Sequence, residues 1–249
     1  LELLETVEVA LFRDCFVALG QVVEGATLEF GDDGLRIQEM DTSHRAEVVW
    51  RFAPEACDRY NFQDEPLRVE VAVGDVVRAL RKARKSDYAL LVDYDGERER
   101  LAFTFRGELR RRKSVKAERA AGDATPIPRL LHKAKTKLLL GDLKQVLEDF
   151  KGYELVTIHA NDSGVTFTSG EEVEEETPLL VGGVSVLEHF VEEESKASYD
   201  LGWLFPFVRA AARVGEAATL SFSSDMPLQL DVEIPYGELV FYLAPTIVD

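Results

Sequence analysis

The chain has 249 residues, 46% of them hydrophobic, and 46 Asp and Glu against 29 Lys and Arg give it a net charge of -17. That length allows one large domain or two of ordinary size with a real apolar core. The acid excess excludes non-specific nucleic-acid binding through the whole surface, so any such function needs a local basic patch.

No run approaches the roughly 18 apolar residues of a membrane span. The start, Leu1-Glu2-Leu3-Leu4-Glu5, lacks the basic region of a signal peptide, and the missing initiating Met fits a trimmed N-terminus. Cys15 and Cys57 argue for a reducing compartment, here the cytoplasm, and read as small apolar residues rather than reactive thiols.

Taken in chain order, Ala10 to Leu19 predicts a helix. Leu11, Phe12, Cys15, Phe16 and Leu19 share one face, with Arg13 and Asp14 opposite. Residues 26–30 and 35–40 alternate as strands around the turn Asp32-Asp33-Gly34, and residues 46–52 form another strand. After a strand over 67–73, Asp75 is placed to cap a second helix whose cations Arg78, Arg81, Lys82 and Lys85 fall at i, i+3, i+4 and i+7, with Arg84 beside them. Residues 88–94 and 101–105 read as a hairpin.

The stretch Ala120 to Leu131 carries Gly122, Pro126 and Pro128 and reads as an extended connector. Its Ile127, Leu130 and Leu131 fit either weak packing on the chain's own domains or one wall of a binding groove. Beyond it the order repeats. Asp142 can cap a helix with Leu143, Val146, Leu147 and Phe150 buried, strands over 155–160 and 165–168 flank the turn Asn161-Asp162-Ser163-Gly164, and a fourth helix runs roughly from Leu204 to Val214 with Pro206 in its first turn. Strands over 218–223, 228–234 and 238–244 finish the chain. The pattern is a duplication of α+β domains, with antiparallel sheets and helices on one face. The expected boundaries are 1–117 and 136–249, joined by a linker over 118–135.

Gly34-Leu35-Arg36-Ile37-Gln38-Glu39-Met40-Asp41-Thr42-Ser43-His44, Ser223-Ser224-Asp225-Met226-Pro227-Leu228 and the ending Phe241-Tyr242-Leu243-Ala244-Pro245-Thr246-Ile247 resemble the sliding-clamp family, specifically archaeal and eukaryotic proliferating cell nuclear antigen. The matched element order makes the resemblance global. It implies a two-domain subunit of a trimeric ring, with sheets outside, helices lining a central hole and the linker across the outer face.

The resemblance assigns three constellations. Arg13, Arg78, Arg81, Lys82, Arg84, Lys85, Lys144, Lys151, Arg209 and Arg213 would line the hole and contact double-stranded DNA without sequence preference; without the resemblance, each is more simply a solvated side chain. Arg110, Arg111, Arg112 and Lys113 and the acidic Glu174, Glu175 and Glu176 would lie on edge strands joining neighbouring subunits, although charge runs are commonly solvated loops. Met40, His44, Ile127, Leu130, Pro227, Tyr242, Ala244, Pro245 and Ile247 match a partner-peptide groove, and each alone also fits plain core or turn structure. In the linker, Arg129, His132 and Lys133 add positive charge where relatives are often acidic.

The implied partners are other clamp subunits in a homo- or heterotrimer, a clamp loader, DNA polymerase, DNA ligase and flap endonuclease, in a nucleoid-associated setting. No cofactor, metal or catalytic residue is expected. The four histidines show no ligand spacing with either cysteine, and no phosphate loop or nucleophile motif occurs. The alternatives are an interaction scaffold of the same fold that does not act on DNA, and a hydrolase, which would need converging carboxylates in a concave pocket.

Overall fold

The computed structural model describes residues 1–62, 65–121, 130–170 and 175–247. The chain divides into two compact units. The first comprises Leu1–Thr42, Val48–Pro126 and Ile234–Leu239; the second comprises Ser43–Glu47, Ile127–Glu233 and Val240–Asp249.

In chain order come β1 (Glu2–Thr6), α1 (Val9–Leu19), β2 (Gly25–Gly31), β3 (Gly34–Met40), β4 (Ala46–Phe52), β5 (Arg59–Tyr60), β6 (Leu67–Ala72), α2 (Val73–Leu80), β7 (Ala89–Asp95), β8 (Arg100–Arg106), β9 (Arg111–Lys116) and β10 (Glu118–Arg119). There follow β11 (Ala134–Leu139), α3 (Leu140–Asp149), β12 (Leu155–Asn161), β13 (Gly164–Ser169), β14 (Glu175–Leu180), β15 (Val186–Val191), β16 (Ser195–Asp200), α4 (Leu201–Ala211), β17 (Ala217–Phe222), β18 (Leu228–Val232) and β19 (Gly237–Leu243). The span expected as a linker thus opens on β10 and closes in β11, and residues 122–129 lie outside the described residues.

Within the first unit the strands run β5-β1-β7-β8-β9 and β10-β6-β2-β3-β4; within the second, β15-β11-β17-β18-β19 and β16-β12-β13-β14. Strand for strand, β11 to β19 repeat the neighbours of β1 to β9, and a helix follows the first and sixth strand of each set. The duplication read from sequence is therefore present in the topology. It extends to local detail: Gly34 and Gly164 open the third strand of each set at φ 109° and 145°, each against the backbone of the strand that follows.

Alternation explains the strands. Ala26, Leu28 and Phe30 of β2 and Val156, Ile158 and Ala160 of β12 are buried while the residues between them are not. In the first unit Phe12 and Phe16 of α1 meet Trp50 and Phe52 of β4 with ring centroids 5.2–5.4 Å apart. In the second, Phe207 of α4 stacks on Phe241 of β19 at 4.4 Å.

The helices require corrections. α1 buries all five predicted apolar positions. α2, however, ends at Leu80, so the basic run from Arg81 to Lys85 is not a helical stripe. The cause is local: the Asp87 carboxylate accepts from the Arg84 backbone N–H at 2.6 Å and closes a turn instead. Asp75 and Asp142 sit inside the first turns of α2 and α3 rather than at their caps, which are Ala72 and Leu139. α4 starts at Leu201, because Asp200 caps it by accepting from Gly202 N at 2.7 Å. Pro206 is consequently inside the helix and not in its first turn.

Candidate nucleic-acid interface and partner groove

In the first unit, cations gather where α2 ends. Arg78 is in the last turn of α2, Arg81 caps it, and Lys82, Arg84 and Lys85 occupy the turn beyond; all are exposed. Arg111 of β9 fastens this turn. Its guanidinium donates to the Lys82 carbonyl at 2.7 Å, pairs with the buried Asp87 carboxylate and lies 5.3 Å over the Phe105 ring. Burial pushes the Asp87 carboxyl up, but hydrogen bonds from Arg111 and the Arg84 N–H outweigh it and hold the group below the usual carboxylate range.

The two basic runs that the sequence separates, 78–85 and 110–113, thereby become one surface. Arg81, Lys82, Arg84, Arg111, Arg112 and Lys113 line one cleft. An adjoining cleft joins Arg78, Lys82 and Lys113 to Arg100 and Lys116. Sequence reading missed Arg100 and Lys116. Their signal is register: Arg100 lies directly opposite Lys116 in the β8–β9 ladder, which is visible only once β9 is recognised as a strand.

The other predicted cations are thinner. Arg13 is held by both oxygens of Asp14 at 2.8 Å, and that hydrogen bond raises its pKa further; its charge is matched locally and adds little outward field. Arg78 is paired with Asp75 at 3.1 Å, in the open. In the second unit Lys144 is half-buried on α3, which also carries Asp142, Glu148 and Asp149. Lys151 is exposed just past that helix. Arg209 is exposed on α4 with its guanidinium 5.6 Å over Phe205, and Arg213 follows the helix end.

The groove residues of the second unit are organised by β16. The β17–β18 connection is pinned through Tyr199, whose hydroxyl donates to the Met226 carbonyl at 2.8 Å, and through Lys196 N, which donates to Ser224 Oγ at 3.1 Å. The tail after β19 is pinned by Thr246 N donating to Ser198 O at 2.7 Å and Ala244 N donating to Arg45 O at 2.8 Å. Pro227, Ala244 and Pro245 are left half-buried and Ile247 is 65% exposed. His44 adopts a left-handed φ of 56°, and Tyr242 is buried, so it serves as support rather than as surface. Leu130 is half-buried and Leu131 is 88% exposed. Met40 belongs to the first unit, 47% exposed at the end of β3, and Ile127 lies outside the described residues.

His132 is buried where the connector enters β11, beside Lys133, whose N–H donates to Ser223 Oγ at 2.9 Å. Burial, with Lys135 nearby, pulls its imidazole pKa down. A folded pKa below the unfolded one means that stability is fully present above about pH 6.5 and is lost as the pH falls through the folded value. His132→Phe is expected to shrink the difference in urea midpoint between pH 7.5 and pH 5; an unchanged difference would show that other groups carry it.

Burial pushes both thiols up, Cys57 to about 12 with help from Asp58 and Glu55, so they stay protonated. A wide cleft of the first unit sets Glu65, Asp93, Asp95 and Glu97 beside Arg112 and Arg119 at an open surface, with no sequestered carboxylate pair among them. Among the described residues no group of His, Cys, Asp and Glu is placed to hold a metal, and no helix is long and apolar enough to cross a membrane.

Residues 3–119 match the family model for the N-terminal domain of proliferating cell nuclear antigen. A curated relative, DNA polymerase sliding clamp 3 of Aeropyrum pernix, is 26% identical over 239 residues, covering 95% of this chain and 94% of its own. Proliferating cell nuclear antigen of Thermococcus kodakaraensis superposes with a TM-score of 0.90 at 20% identity, covering 99% of this chain and all of its own. Residues 3–119 therefore carry an N-terminal domain of the proliferating cell nuclear antigen family. A further solved structure, the PCNA2–PCNA3 complex of Sulfolobus tokodaii, has the same fold with a TM-score of 0.87 at 22% identity over 97% of this chain and 98% of its own. The family-model match spans β1 to β10, and the second unit repeats those elements on a different sequence.

Proposed function

We infer that this protein is a DNA sliding clamp subunit, without chemistry of its own, that closes with other subunits into a ring around duplex DNA. The observation that carries the reading is the single basic surface of α2, its following turn and β9 on a chain of net charge -17. Cations that meet phosphates carry no sequence information, which suits a protein that must hold DNA and still move along it. The names of the curated relatives support the same reading. Retention on nicked circular DNA, with release when the circle is cut, is the deciding measurement. Equal retention on short linear and circular DNA would replace encirclement with ordinary binding, and no retention under any subunit mixture would favour the scaffold reading.

Ring closure needs strand edges. β9 ends one sheet of the first unit and β14 ends one sheet of the second. The first is basic and the second begins with Glu175-Glu176. Exposed ion pairs contribute only about 0.2–1 kcal/mol each, so strand pairing and apolar packing do most of the holding while charge selects the partner. Reversing the signs of Arg110 to Lys113 is expected to weaken assembly at low and moderate salt.

The groove anchored on β16 fits a short peptide with apolar and aromatic anchors, supplied by polymerase, ligase, flap endonuclease or clamp loader. Tethering such enzymes to an encircled duplex raises their local concentration. Leu130→Ser with Pro245→Ser is expected to weaken binding of such a peptide about tenfold or more, which corresponds to roughly 1.4 kcal/mol, with ring formation unchanged. Loss of both together would make these residues structural core.

A further inference from the structure

β15 is the last strand of its sheet in the second unit. β11 lies on one side of it and, among the described residues, no strand lies on the other. Ring closure uses β9 and β14 and the groove rests on β16, so neither engages this edge. Open strand edges are a template for pairing and are usually blunted. This one holds apolar side chains in the open: Phe190 is 59% exposed and Leu187 47%.

Ladder geometry fixes what the edge offers. In antiparallel sheet, residues whose backbone groups face the partner alternate with residues whose groups face away. Glu192 N donates to Lys133 O at 2.7 Å, and Leu139 N donates to Ser185 O at 3.0 Å. In that phase Glu188 and Phe190, opposite Lys137 and Lys135, also turn their N–H and C=O toward β11. His189 and Val191 turn theirs to the open side. Side chains alternate with the same period. His189 points inward, its Nδ1 2.9 Å from Thr136 Oγ1 and its Nε2 2.7 Å from Asn161 O. Glu188, Phe190 and Glu192 share the opposite face and are exposed. A register shift at Leu187 ends the regular stretch.

Charge on that face alternates from strand to strand. Lys137 of β11 lies between Glu233 at 2.6 Å and Glu188 at 3.9 Å, and Lys133 pairs with Glu192 at 2.6 Å. Lys137 is engaged mainly by Glu233, which leaves the Glu188 side chain 78% exposed. The next strand outward would therefore meet an acid, an aromatic ring and an acid at alternate positions. A second copy of β15 does not fit. Antiparallel pairing about Phe190 sets Glu188 against Glu192, parallel pairing in register sets each acid against itself, and like charges directly opposite repel. The same carboxylates repel nucleic acid.

We propose that the open edge of β15 takes an extended segment of a partner protein in which an apolar residue is flanked, two positions away on each side, by Lys or Arg. The segment adds antiparallel, as β11 does, and bonds to the backbone of His189 and Val191. Its apolar side chain covers Phe190, and its cations meet Glu188 and Glu192. Main-chain hydrogen bonds supply affinity and the alternate side chains supply selection. The site uses other elements than the groove and stands whether or not the chain encircles DNA.

The test uses the full chain and a fluorescent synthetic peptide, Thr-Lys-Thr-Phe-Thr-Lys-Thr, followed by anisotropy. In the proposed pairing its Phe lies opposite Phe190 at a non-hydrogen-bonded position, and the two Thr beside it turn their N–H toward β15. N-methylation of those two Thr is expected to weaken binding at least about tenfold, through the ladder bonds removed, whereas N-methylation of the Phe should change it less than about twofold. Phe190→Ser should also weaken binding. Glu188→Lys with Glu192→Lys should reverse the preference, so that the variant takes Thr-Glu-Thr-Phe-Thr-Glu-Thr instead; such a gain cannot come from unfolding. Equal effects of the two methylations would rule out strand addition. Loss of binding in Pro245→Ser would move the peptide to the groove and sink the site, as would no saturation by about 1 mM peptide. Dissociation of the chain's own oligomers by Phe190→Ser, seen by sedimentation, would give the edge to a second copy and overturn the basic partner.

Discussion

Replacing Arg81, Lys82, Arg84 and Lys85 together by Ala is expected to produce the largest functional loss, a collapse of DNA retention with an intact fold. All four side chains are exposed and none is an element's apolar anchor. Each phosphate neutralised by a cation contributes about 0.9 to the slope of log affinity against log salt. If all four meet phosphate, the slope should fall by about 3 to 4, and retention at moderate salt should drop by roughly a hundredfold or more. Arg13→Ala is the contrast: its guanidinium is already matched by Asp14, so the slope should barely move. Retention of the variant on circular DNA across a salt series measures both. A parallel shift without a change in slope would mean that these cations act on assembly and not on phosphate. Lys113→Ala should show both effects, because Lys113 lines the same clefts and also lies on β9.

The elements legible in the sequence were those whose apolar spacing is complete. α1 shows five apolar positions on one face, all buried, and β4 carries an apolar residue at every second position from Ala46 to Phe52 in a run bounded by a turn and a proline. β9, β14 and β15 were not read as strands. They are edge strands without clean alternation: β9 exposes mainly charged residues, Pro178 interrupts β14 after its two glutamates, and β15 exposes Leu187, Glu188 and Phe190. The end of α2 was misplaced because the cations continue at helical spacing after the apolar residues stop, and only the Asp87 turn shows where the backbone leaves the helix. The same blindness split the candidate site. Arg78 to Lys85 and Arg110 to Lys113 are far apart in sequence, and what unites them is the Arg111 contact to Asp87 and Lys82. The groove residues, by contrast, were legible only through the family resemblance, since their common anchor is the backbone and side chains of β16, a strand whose beginning the sequence does not advertise.

The largest expected loss of stability follows from the duplication itself. Gly34 and Gly164 occupy one position of the repeated unit, both at left-handed φ, 109° and 145°. A Cβ at Gly34 would collide with the Phe52 carbonyl oxygen, and one at Gly164 with the Leu179 carbonyl oxygen. The obstacle in each case is backbone held in a ladder, not the end of a flexible side chain, so neither strand can yield without losing pairing. Backbone strain of this kind costs about 1–3 kcal/mol, and forcing atoms into a packed site adds about 1–3 kcal/mol more. Gly34→Ala and Gly164→Ala are each expected to lower the melting temperature by roughly 10 °C. Their consequences should then diverge. Gly164 pairs with Leu180 at the end of β14, so Gly164→Ala should also weaken self-association well below its melting temperature. Gly34→Ala disturbs β4, which the chain pairs internally, and should leave self-association intact. Scanning calorimetry and sedimentation of the two variants separate these outcomes. Equal loss of assembly in both would show that the edge of β14 has no special place in holding the copies together.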